Sequence, residues 1–406
     1  MDLMLAGFTV CLALAFLLSE LFYRLKYPKV IGQIVAGLIL GMSYFKTNFF
    51  GGNLTFISYL ADIGVVFLML LVGTEIKIHD LKKASKKAFT LAALGYFIPL
   101  TVGFLAMKAL GFDSLTAVII GICLAISAEA VTVDILVEYN MLNTSIGTTM
   151  MEAGMIDDLL GIFSLTAVIA VVQGGGLDNL RVMVGDFFIF IFLAYILGFL
   201  ILSRAAKVVW KERSEAAVFS LAAIFGLVVV VLSTFFQQSS VVGAFVAGII
   251  IQLQVKNRQE EKEIVESLNL VTFGLVIPFF FIYTGMNMSL DVWNGGVLIL
   301  IMTFIALAGK MVAAHLMGAM YHIKTADRTL LGWGMNPRGA VELIIANIAL
   351  STALITPAIY SAIVAMAVIS AIVSPVMFRR SLPPALLETH LGHNHEHKTL
   401  NRSQSK

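Results

Sequence analysis

Three carboxylates lie within one strongly apolar stretch of the chain. The stretch MEAGMIDDLLGIF, residues 151–163, contains Glu152, Asp157 and Asp158. The apolar run around it is long enough to cross a bilayer. A carboxylate at the centre of a membrane helix costs roughly 2.5 to 3.5 kcal/mol on insertion scales, and such groups usually bind an ion or carry a proton. This stretch is therefore the candidate functional site.

The two aspartates cannot face the same direction. Asp157 and Asp158 are adjacent, so their side chains point about 100° apart on a helix. One is expected to line a water-filled cavity and the other to face a protein partner. Lys310 is the candidate partner, because it lies deep within another apolar run, where an ammonium group must pair or lose its proton. A lysine that reaches the membrane surface is the alternative.

A second cation, Arg338, also lies within an apolar run. A buried arginine needs a carboxylate partner, and Glu152, Glu129 and Glu342 are available. Glu152 precedes the aspartates by about 8 Å along a helix axis, so we expect it outside their ion site. The sequence leaves the choice among the three open.

The composition predicts an integral membrane protein. The 406 residues are 59% hydrophobic and 13% charged, whereas soluble domains carry about 25% charged residues. The basic residues form no patch that would bind nucleic acid, so the expected surroundings are the lipid bilayer. Apolar runs of about 17 to 25 residues predict thirteen helices. Their ranges are 3–22, 28–44, 55–73, 88–108, 114–137, 145–172, 183–203, 215–235, 238–255, 268–286, 296–320, 327–350 and 356–378.

The charges of the loops predict the orientation, because cytoplasmic loops carry an excess of Lys and Arg. With the N-terminus outside, the inner loops and the tail hold 22 of the 27 basic residues, and the outer loops hold three. This predicts a multi-pass protein of the cell membrane with a cytoplasmic C-terminus.

An internal repeat predicts the architecture. VIGQIVAGLIL (30–40) matches VVGAFVAGIII (241–251) at an offset of 211, and GTEIKI (73–78) matches GMNMSL (285–290) at an offset of 212. The matches pair the second predicted helix with the ninth and the third with the tenth. A shift of seven helices is odd, so the second copy is inverted. Six plus six helices with a connector are typical of secondary transporters.

The fifth and twelfth predicted helices, which are equivalent in this repeat, are both expected to be interrupted. AISAEAVTVD (125–134) places Glu129 and Thr132 within an apolar run, and NPRG (336–339) precedes Glu342. Proline removes a backbone donor and glycine relaxes the dihedral angles. Unwound backbone at membrane depth is tolerated where it is buried or lines a cavity. One proline-kinked helix is the alternative to two discontinuous helices.

These features together resemble a known family. GQIVAGLILG after the basic YPK, the paired aspartates of IDDLLG, PFFFIYTGM, the lysine within the eleventh helix and NPRGAVELII are similar to the monovalent cation/proton antiporters. The resemblance is specifically to the NapA-like double-aspartate sodium/proton antiporters of the second family, and it covers roughly residues 1–380.

The resemblance implies an all-α fold of thirteen transmembrane helices, with two crossed discontinuous helices, in a homodimer. It implies panel and dimerisation helices at 1–73 and 215–286, core helices at 88–172 and 296–378, a connector at 183–203 and a polar cytoplasmic tail at 379–406.

The resemblance also implies roles for residues. Asp158 is expected to bind the ion, Asp157 to pair with Lys310, Lys310 to couple proton transfer, and Thr132 to be a polar ion ligand at the break. No cofactor is implied, since Na⁺ and H⁺ are the substrates. Glu129 departs from the family, which more often carries small hydroxyl residues at this break.

The sequence therefore predicts a transporter and not an enzyme. Na⁺ or Li⁺ would be exchanged for H⁺ by alternating access, electrogenically if Lys310 releases a proton when Na⁺ enters. A K⁺/H⁺ antiporter of the same fold, a sodium-coupled organic anion symporter and an ion channel are the alternatives. The histidines of HLGHNHEH (390–397) are solvated or bind a transition metal. KNRQEEKEIVE (256–266) is a solvated connector or a pH sensor.

Overall fold

The described part of the chain is helical and contains no β-strand. The computed structural model describes residues 2–51, 54–76, 84–172, 177–202, 215–255, 258–289 and 296–383. We number the helices α1 Asp2–Arg24, α2 Lys29–Leu40, α3 Ser43–Phe50, α4 Thr55–Glu75, α5 Lys86–Ala109, α6 Ser114–Ala125, α7 Glu129–Glu138, α8 Ser145–Val172, α9 Leu177–Leu197, α10 Glu215–Phe235, α11 Ser240–Gln254, α12 Arg258–Val271, α13 Ile277–Met286, α14 Gly296–Met320, α15 Thr325–Gly334, α16 Ala340–Ser351 and α17 Pro357–Ser381. Two π-helical turns, Gly198–Leu202 and Thr272–Val276, follow α9 and α12.

These helices identify a polytopic membrane protein. Among the described residues, eight spans are long and apolar enough to cross a bilayer, and the bent pair α2 and α3 makes a ninth. Each of the thirteen predicted runs contains helical residues, but four of the runs are not among these nine spans. The fifth and twelfth runs are each divided into two helices, α8 carries three carboxylates, and α11 has only 15 residues.

Several helix boundaries differ from the predicted ones. The predicted helix 28–44 ends at Leu40, and a separate helix, α3, follows at an angle of 85°. The turn occurs at Gly41, whose N–H bonds back to the carbonyl of Gly37. The polar tail was predicted to begin at residue 379, but α17 continues to Ser381. The histidine-rich segment 390–397 lies outside the described residues.

The charged connector 256–266 is helical from Arg258 onward. α12 therefore starts ten residues before the predicted helix 268–286, and the π-helical turn Thr272–Val276 joins it to α13. A π-helical turn leaves the normal i to i−4 bonding pattern, and such turns occur frequently at functional sites.

The chain divides into two compact units. Unit 1 consists of Met1–Lys83, Gly161–Gly295 and Leu343–Val364, and unit 2 consists of Ala84–Leu160, Gly296–Glu342 and Ala365–Lys406. Three of the five divisions fall within α8, α16 and α17.

Unit 1 contains two close helix contacts that are made by glycines. A Cβ atom on Gly37 of α2 would overlap a backbone carbonyl of α13, and one on Gly285 of α13 would overlap a carbonyl of α2. Gly73 of α4 and Gly248 of α11 meet in the same way. Small residues allow helix backbones to approach, which is a main source of helix association in membranes.

The two glycine contacts are related by the sequence repeat. Gly248 stands 211 positions after Gly37, and Gly285 stands 212 positions after Gly73. In the predicted repeat α11 corresponds to α2, and α13 corresponds to α4. The contact between α2 and α13 therefore corresponds to the contact between α11 and α4.

In unit 2, the ends of α7 and α15 pack together in one apolar core. Met150 of α8, Leu331 of α15 and Phe378 of α17 are buried in it. α14 lies along α5, where Gly309 allows close contact with Pro99. This core fixes the helices that carry the candidate site.

The start of α6 is fixed by its own cap. The carboxylate of Asp113 accepts hydrogen bonds from the N–H groups of Leu115 and Thr116, at 2.9 Å and 3.0 Å. Hydrogen bonds from Thr116 hold the pKa of Asp113 below its usual value, because they favour the charged form.

Candidate functional site

A buried ion pair joins α8 to α14. Nζ of Lys310 lies 2.9 Å from Oδ2 of Asp157, and each side chain is only 1% exposed. Taking two charges out of water is costly, so such a pair requires good geometry and additional hydrogen bonds. The Lys310 side chain also passes beside Gly95 of α5.

The same carboxylate oxygen is also held by the segment between α6 and α7. The backbone N–H and the hydroxyl of Ser127 both donate to Oδ2 of Asp157, at 2.8 Å and 2.6 Å. Oδ2 therefore accepts three hydrogen bonds. Oδ1 of Asp157 is buried and accepts none from the described residues. One oxygen is fixed, and the other is available to a ligand.

Asp158 follows on α8 and is also buried, with 8% of its surface exposed. Adjacent helical residues project about 100° apart, so Asp158 points away from the direction in which Asp157 meets Lys310. This part of α8 therefore offers carboxylate oxygens in two directions, and oxygen is the ligand that hard cations prefer.

The two helix breaks contact each other. The first separates α6 from α7 at residues 126–128, and the second separates α15 from α16 at residues 335–339. The N–H of Ala128 donates to the carbonyl of Pro337 at 2.8 Å. Each break therefore satisfies part of the backbone that the other frees, as membrane depth requires.

Arg338 joins the second break to the first. Its buried guanidinium donates to the carbonyl of Ile126, directly after α6, and to the carbonyl of Ala306 in α14. A helix C-terminus carries partial negative charge. Arg338 therefore neutralises the end of α6 with a donor fork that lysine lacks.

Two carboxylates, Glu342 and Asp157, interact electrostatically with Arg338, and the interaction with Glu342 is the stronger. Glu342 is fully buried, and one of its oxygens accepts a hydrogen bond from the N–H of Gly339. A glutamate at the third position of a helix that bonds back to the N-cap N–H is half of a capping box. Glu342 therefore caps α16 beside Arg338.

Glu152, one of the three candidate partners of Arg338, is bonded to a different residue. Its carboxylate accepts hydrogen bonds from the N–H and the hydroxyl of Ser85, at 2.9 Å and 2.7 Å. Ser85 is the N-cap of α5. We therefore assign Glu152 to the start of α5 and not to Arg338.

Glu129 is also placed against α8. It is half-buried, and its Cγ and Cδ atoms lie 3.0 Å from the position that a Cβ atom on Gly154 would take. The predicted charge partners of Arg338 thus occupy three separate places in unit 2.

The hydroxyl of Thr132 links the two interrupted helices. It donates to the carbonyl of Gly334, at the end of α15, at 2.7 Å. Its proton is therefore committed to the protein, although the oxygen retains capacity as an acceptor. The main contact of Thr132 is structural.

Two polar residues at the breaks received no role from the sequence. Ser127 binds Asp157, and the amide of Asn336 donates to the carbonyl of Leu307 at 3.1 Å. The carbonyl oxygen of Asn336 accepts a hydrogen bond from the hydroxyl of Ser370, and its side-chain oxygen is buried without a partner in the described ranges. The signal in the sequence that could have identified both residues is a polar side chain directly beside a helix break.

The described residues contain no group of three His, Cys, Asp or Glu side chains that could hold a metal ion. The histidine-rich segment lies beyond them. The chemistry of the site is instead that of paired carboxylates, a buried ammonium group and helix ends.

A comparison with protein families decides the identity. Residues 10–382 match the model of the transmembrane sodium/hydrogen exchangers. The chain belongs to this family. Membership of the cation/proton antiporters, which the sequence motifs predicted, is thereby confirmed.

Individual relatives agree with this assignment. The exchanger-family chain is 30% identical over 345 residues to a Na⁺/H⁺ antiporter of Enterococcus hirae, covering 83% of this chain and 87% of the relative. It is 28% identical over 383 residues to the Na⁺/H⁺ antiporter NhaS4 of Synechocystis, covering 88% and 92%. The Na⁺/H⁺-K⁺ antiporter GerN of Bacillus cereus is 25% identical over 342 residues, covering 84% and 86%.

A solved structure has the same fold. The sodium proton antiporter MjNhaP1 of Methanocaldococcus jannaschii superposes with a TM-score of 0.70 at 17% sequence identity, covering 97% of this chain and 100% of that chain.

Proposed function

We propose that this exchanger-family protein transports Na⁺ in exchange for H⁺ across the membrane by alternating access. The observation that carries the proposal is the buried contact of Lys310 with Asp157, beside Asp158, in a chain of this family. Li⁺ is the expected alternative substrate, because it is a smaller ion of the same charge.

Asp158 is the proposed ion-binding residue. A carboxylate in a poorly hydrated site binds either a proton or a cation, so the two substrates compete for it. Asp157 would contribute Oδ1, which has no partner among the described residues, while Oδ2 stays fixed by Ser127. As Na⁺ enters, Lys310 leaves Asp157 and releases a proton, which gives two protons per Na⁺ and net charge movement.

Thirteen membrane crossings in a six-plus-six inverted repeat are the proposed architecture. The corresponding glycine contacts, Gly37 with Gly285 and Gly248 with Gly73, support a two-fold relation between the copies. The bonded breaks support a pair of crossed discontinuous helices. An odd number of crossings would place the two termini on opposite sides of the membrane, and the excess of Lys and Arg in the inner loops would place the C-terminus in the cytoplasm.

The domain division is part of the same proposal. The predicted core helices carry the ion site, and the predicted panel helices form a homodimer. The clustering of residues 84–160 with 296–342 supports this division, whereas residues 161–172 and 343–364 of the predicted core cluster with the predicted panel helices.

The central experiment is transport by purified protein in liposomes that contain a pH-sensitive dye. We expect added Na⁺ or Li⁺ to drive proton movement, and an imposed membrane potential to change its rate. Proton movement driven by K⁺ as strongly as by Na⁺ would favour the K⁺ alternative, which the relationship to the Bacillus cereus Na⁺/H⁺-K⁺ antiporter supports. Uptake of an organic anion with Na⁺ would instead indicate a symporter.

The first predicted variant is Asp158→Asn, which removes the proposed exchangeable charge. We expect loss of Na⁺-driven proton movement in liposomes, while the protein still folds. Undiminished exchange would overturn the site assignment.

The second predicted variant is Lys310→Ala, which removes the ammonium group that releases the second proton. We expect exchange that no longer responds to membrane potential, or no exchange. Unchanged electrogenic exchange by this variant would refute the role of Lys310.

A further inference from the structure

Glu129 lies in a notch on the surface of α8. It is the first residue of α7, directly after the first break, and it is half-buried. The Cγ and Cδ atoms of its side chain lie 3.0 Å from the Cβ position on Gly154, which is buried. Glycine at position 154 therefore lets the carboxylate of Glu129 lie close against α8 without a steric contact.

The notch lies on the same face of α8 as Asp158. Gly154 precedes Asp158 by four residues, and residues four apart are neighbours on one face of a helix. A helical side chain leans toward the helix N-terminus and covers the preceding turn. The side chain of Asp158 therefore leans over the turn that contains Gly154, which is where the carboxyl group of Glu129 lies.

We propose that Glu129 is a specificity-determining residue of the ion site, which favours small monovalent cations, Na⁺ and Li⁺, over K⁺. The inference rests on the proposed function. Two carboxylates that approach each other are stabilised by a cation between them, and the Coulomb energy grows as the separation shrinks. A smaller ion approaches the oxygens more closely, so a second carboxylate strengthens the binding of Na⁺ more than that of K⁺.

The exposure of the two carboxylates gives Glu129 the outer position. Asp158 is 8% exposed, whereas Glu129 is half-buried and lies at the edge of the break. A cation that enters from water meets the more accessible carboxylate before the deeper one. Glu129 thus selects the ion, and Asp158 exchanges it for a proton.

The test uses the full-length protein in liposomes, with Na⁺ and K⁺ as separate substrates at one fixed pH. We expect Glu129→Gln to raise the apparent KM for Na⁺ about fivefold, which corresponds to about 1 kcal/mol. The apparent KM for K⁺ is expected to change less, so the discrimination between the ions falls. The ratio of the two KM values does not depend on how much of the protein is folded.

A second variant tests the notch without removing the charge. Gly154→Ala places a Cβ atom 3.0 Å from Cγ and Cδ of Glu129, so the Glu129 carboxylate must shift by a few tenths of an ångström. We expect a smaller loss of discrimination in the same direction, and we expect the double variant with Glu129→Gln to match Glu129→Gln alone. Alanine is a better helix former than glycine, so α8 itself is not weakened.

The matched control is Glu138→Gln. Glu138 is an exposed glutamate at the other end of α7, nine residues along and therefore on the opposite face of the helix. We expect this variant to leave both KM values unchanged.

The outcomes separate this inference from the function on which it rests. A wild-type protein without Na⁺-driven proton movement contradicts the proposed function. A wild-type protein that exchanges, together with unchanged discrimination in Glu129→Gln and in Gly154→Ala, overturns the role of Glu129. Should Glu129→Gln fail to fold, Gly154→Ala alone decides between the same two results.

Discussion

At the scale of single residues, the two oxygens of the Asp157 carboxylate are used very differently. Oδ2 accepts hydrogen bonds from the N–H and hydroxyl of Ser127 and from Lys310, whereas Oδ1 accepts none from the described residues. When Lys310 leaves, two donors still hold Oδ2. Asp157 can therefore lose its cation partner without losing its position.

The third predicted variant tests this anchoring. Ser127→Ala removes one hydrogen bond to a charged group, and such bonds contribute about 1.5 to 3 kcal/mol. We expect the free energy of unfolding to fall by about that amount, and Ser127→Thr to retain most of it because the hydroxyl is kept. Thermal unfolding in detergent measures both.

Ser233→Ala is the control for this comparison. Ser233 is also fully buried, but its hydroxyl donates to an uncharged carbonyl, that of Val230, at 2.7 Å. We expect a smaller loss, about 0.5 to 1.5 kcal/mol. An equal or larger loss at Ser233 would show that the charge of Asp157 adds nothing to the bond with Ser127.

The sequence identified the charged residues of the site but not all of their partners. The cost of charge in an apolar run singled out Asp157, Asp158 and Lys310 without any knowledge of the fold. Ser127 carries no such cost, because a serine can bond to its own helix backbone. Its role depends on a partner 30 residues away, and spacing in the sequence does not reveal that contact.

At the scale of helices, the two breaks form one hydrogen-bonded unit. The N–H of Ala128 bonds to Pro337, Arg338 bonds to Ile126, and Thr132 bonds to Gly334. Because each break supplies partners for the other, neither can unwind further by itself without leaving buried polar groups unpaired.

The fourth predicted variant separates a structural role of Thr132 from a role as an ion ligand. Thr132→Val keeps the shape but leaves the carbonyl of Gly334 without this donor, which costs about 1 to 3 kcal/mol. We expect a lower unfolding temperature in the absence of Na⁺, with Thr132→Ser close to wild type. An unchanged unfolding temperature combined with a raised KM for Na⁺ would instead support ion coordination.

The helix boundaries were predictable where the chain carries a strong local signal. Pro337 and Gly339 mark the second break, since proline lacks an N–H and glycine relaxes the backbone. α3 was missed, because SYFKTNFF is short and weakly amphipathic and no proline separates it from α2. Its start depends on the turn at Gly41.

At the scale of the whole chain, the repeat and the glycine contacts lead to a symmetric expectation. Gly37 and Gly248 occupy equivalent positions in the repeat. Each faces a backbone carbonyl of another helix that a Cβ atom would overlap. Equivalent contacts should respond equally to the same change.

The fifth prediction therefore pairs Gly37→Ala with Gly248→Ala. Overpacking of close contacts costs about 1 to 3 kcal/mol, and we expect both variants to lower the unfolding temperature by similar amounts. Gly185→Ala is the control, because a Cβ atom there meets nothing within 4 Å. In that variant the higher helix propensity of alanine should leave stability unchanged or raised. Loss of stability at Gly37 alone would argue against equivalence.

Composition was sufficient to predict an all-helical membrane protein, because a bilayer requires long apolar runs. The number of crossings was harder to obtain. Divided helices, the carboxylates of α8 and the short α11 lower the apolar signal at the places where a transport site requires polar groups. The polar groups that transport requires are therefore also the reason why the number of membrane crossings is hard to predict.

The bond between Ala128 and Pro337 has a consequence for synthesis. The two residues are 209 positions apart, so at about 5 to 20 residues per second the ribosome needs about 10 to 40 s to supply the second after the first. During that time the N–H of Ala128 and the carboxylate of Asp157 have no Pro337 and no Lys310 to meet. The first half of the nascent chain therefore waits without an acceptor for the Ala128 N–H and without a cation beside Asp157. A chain terminated early should be a target for membrane proteases and not a partial transporter.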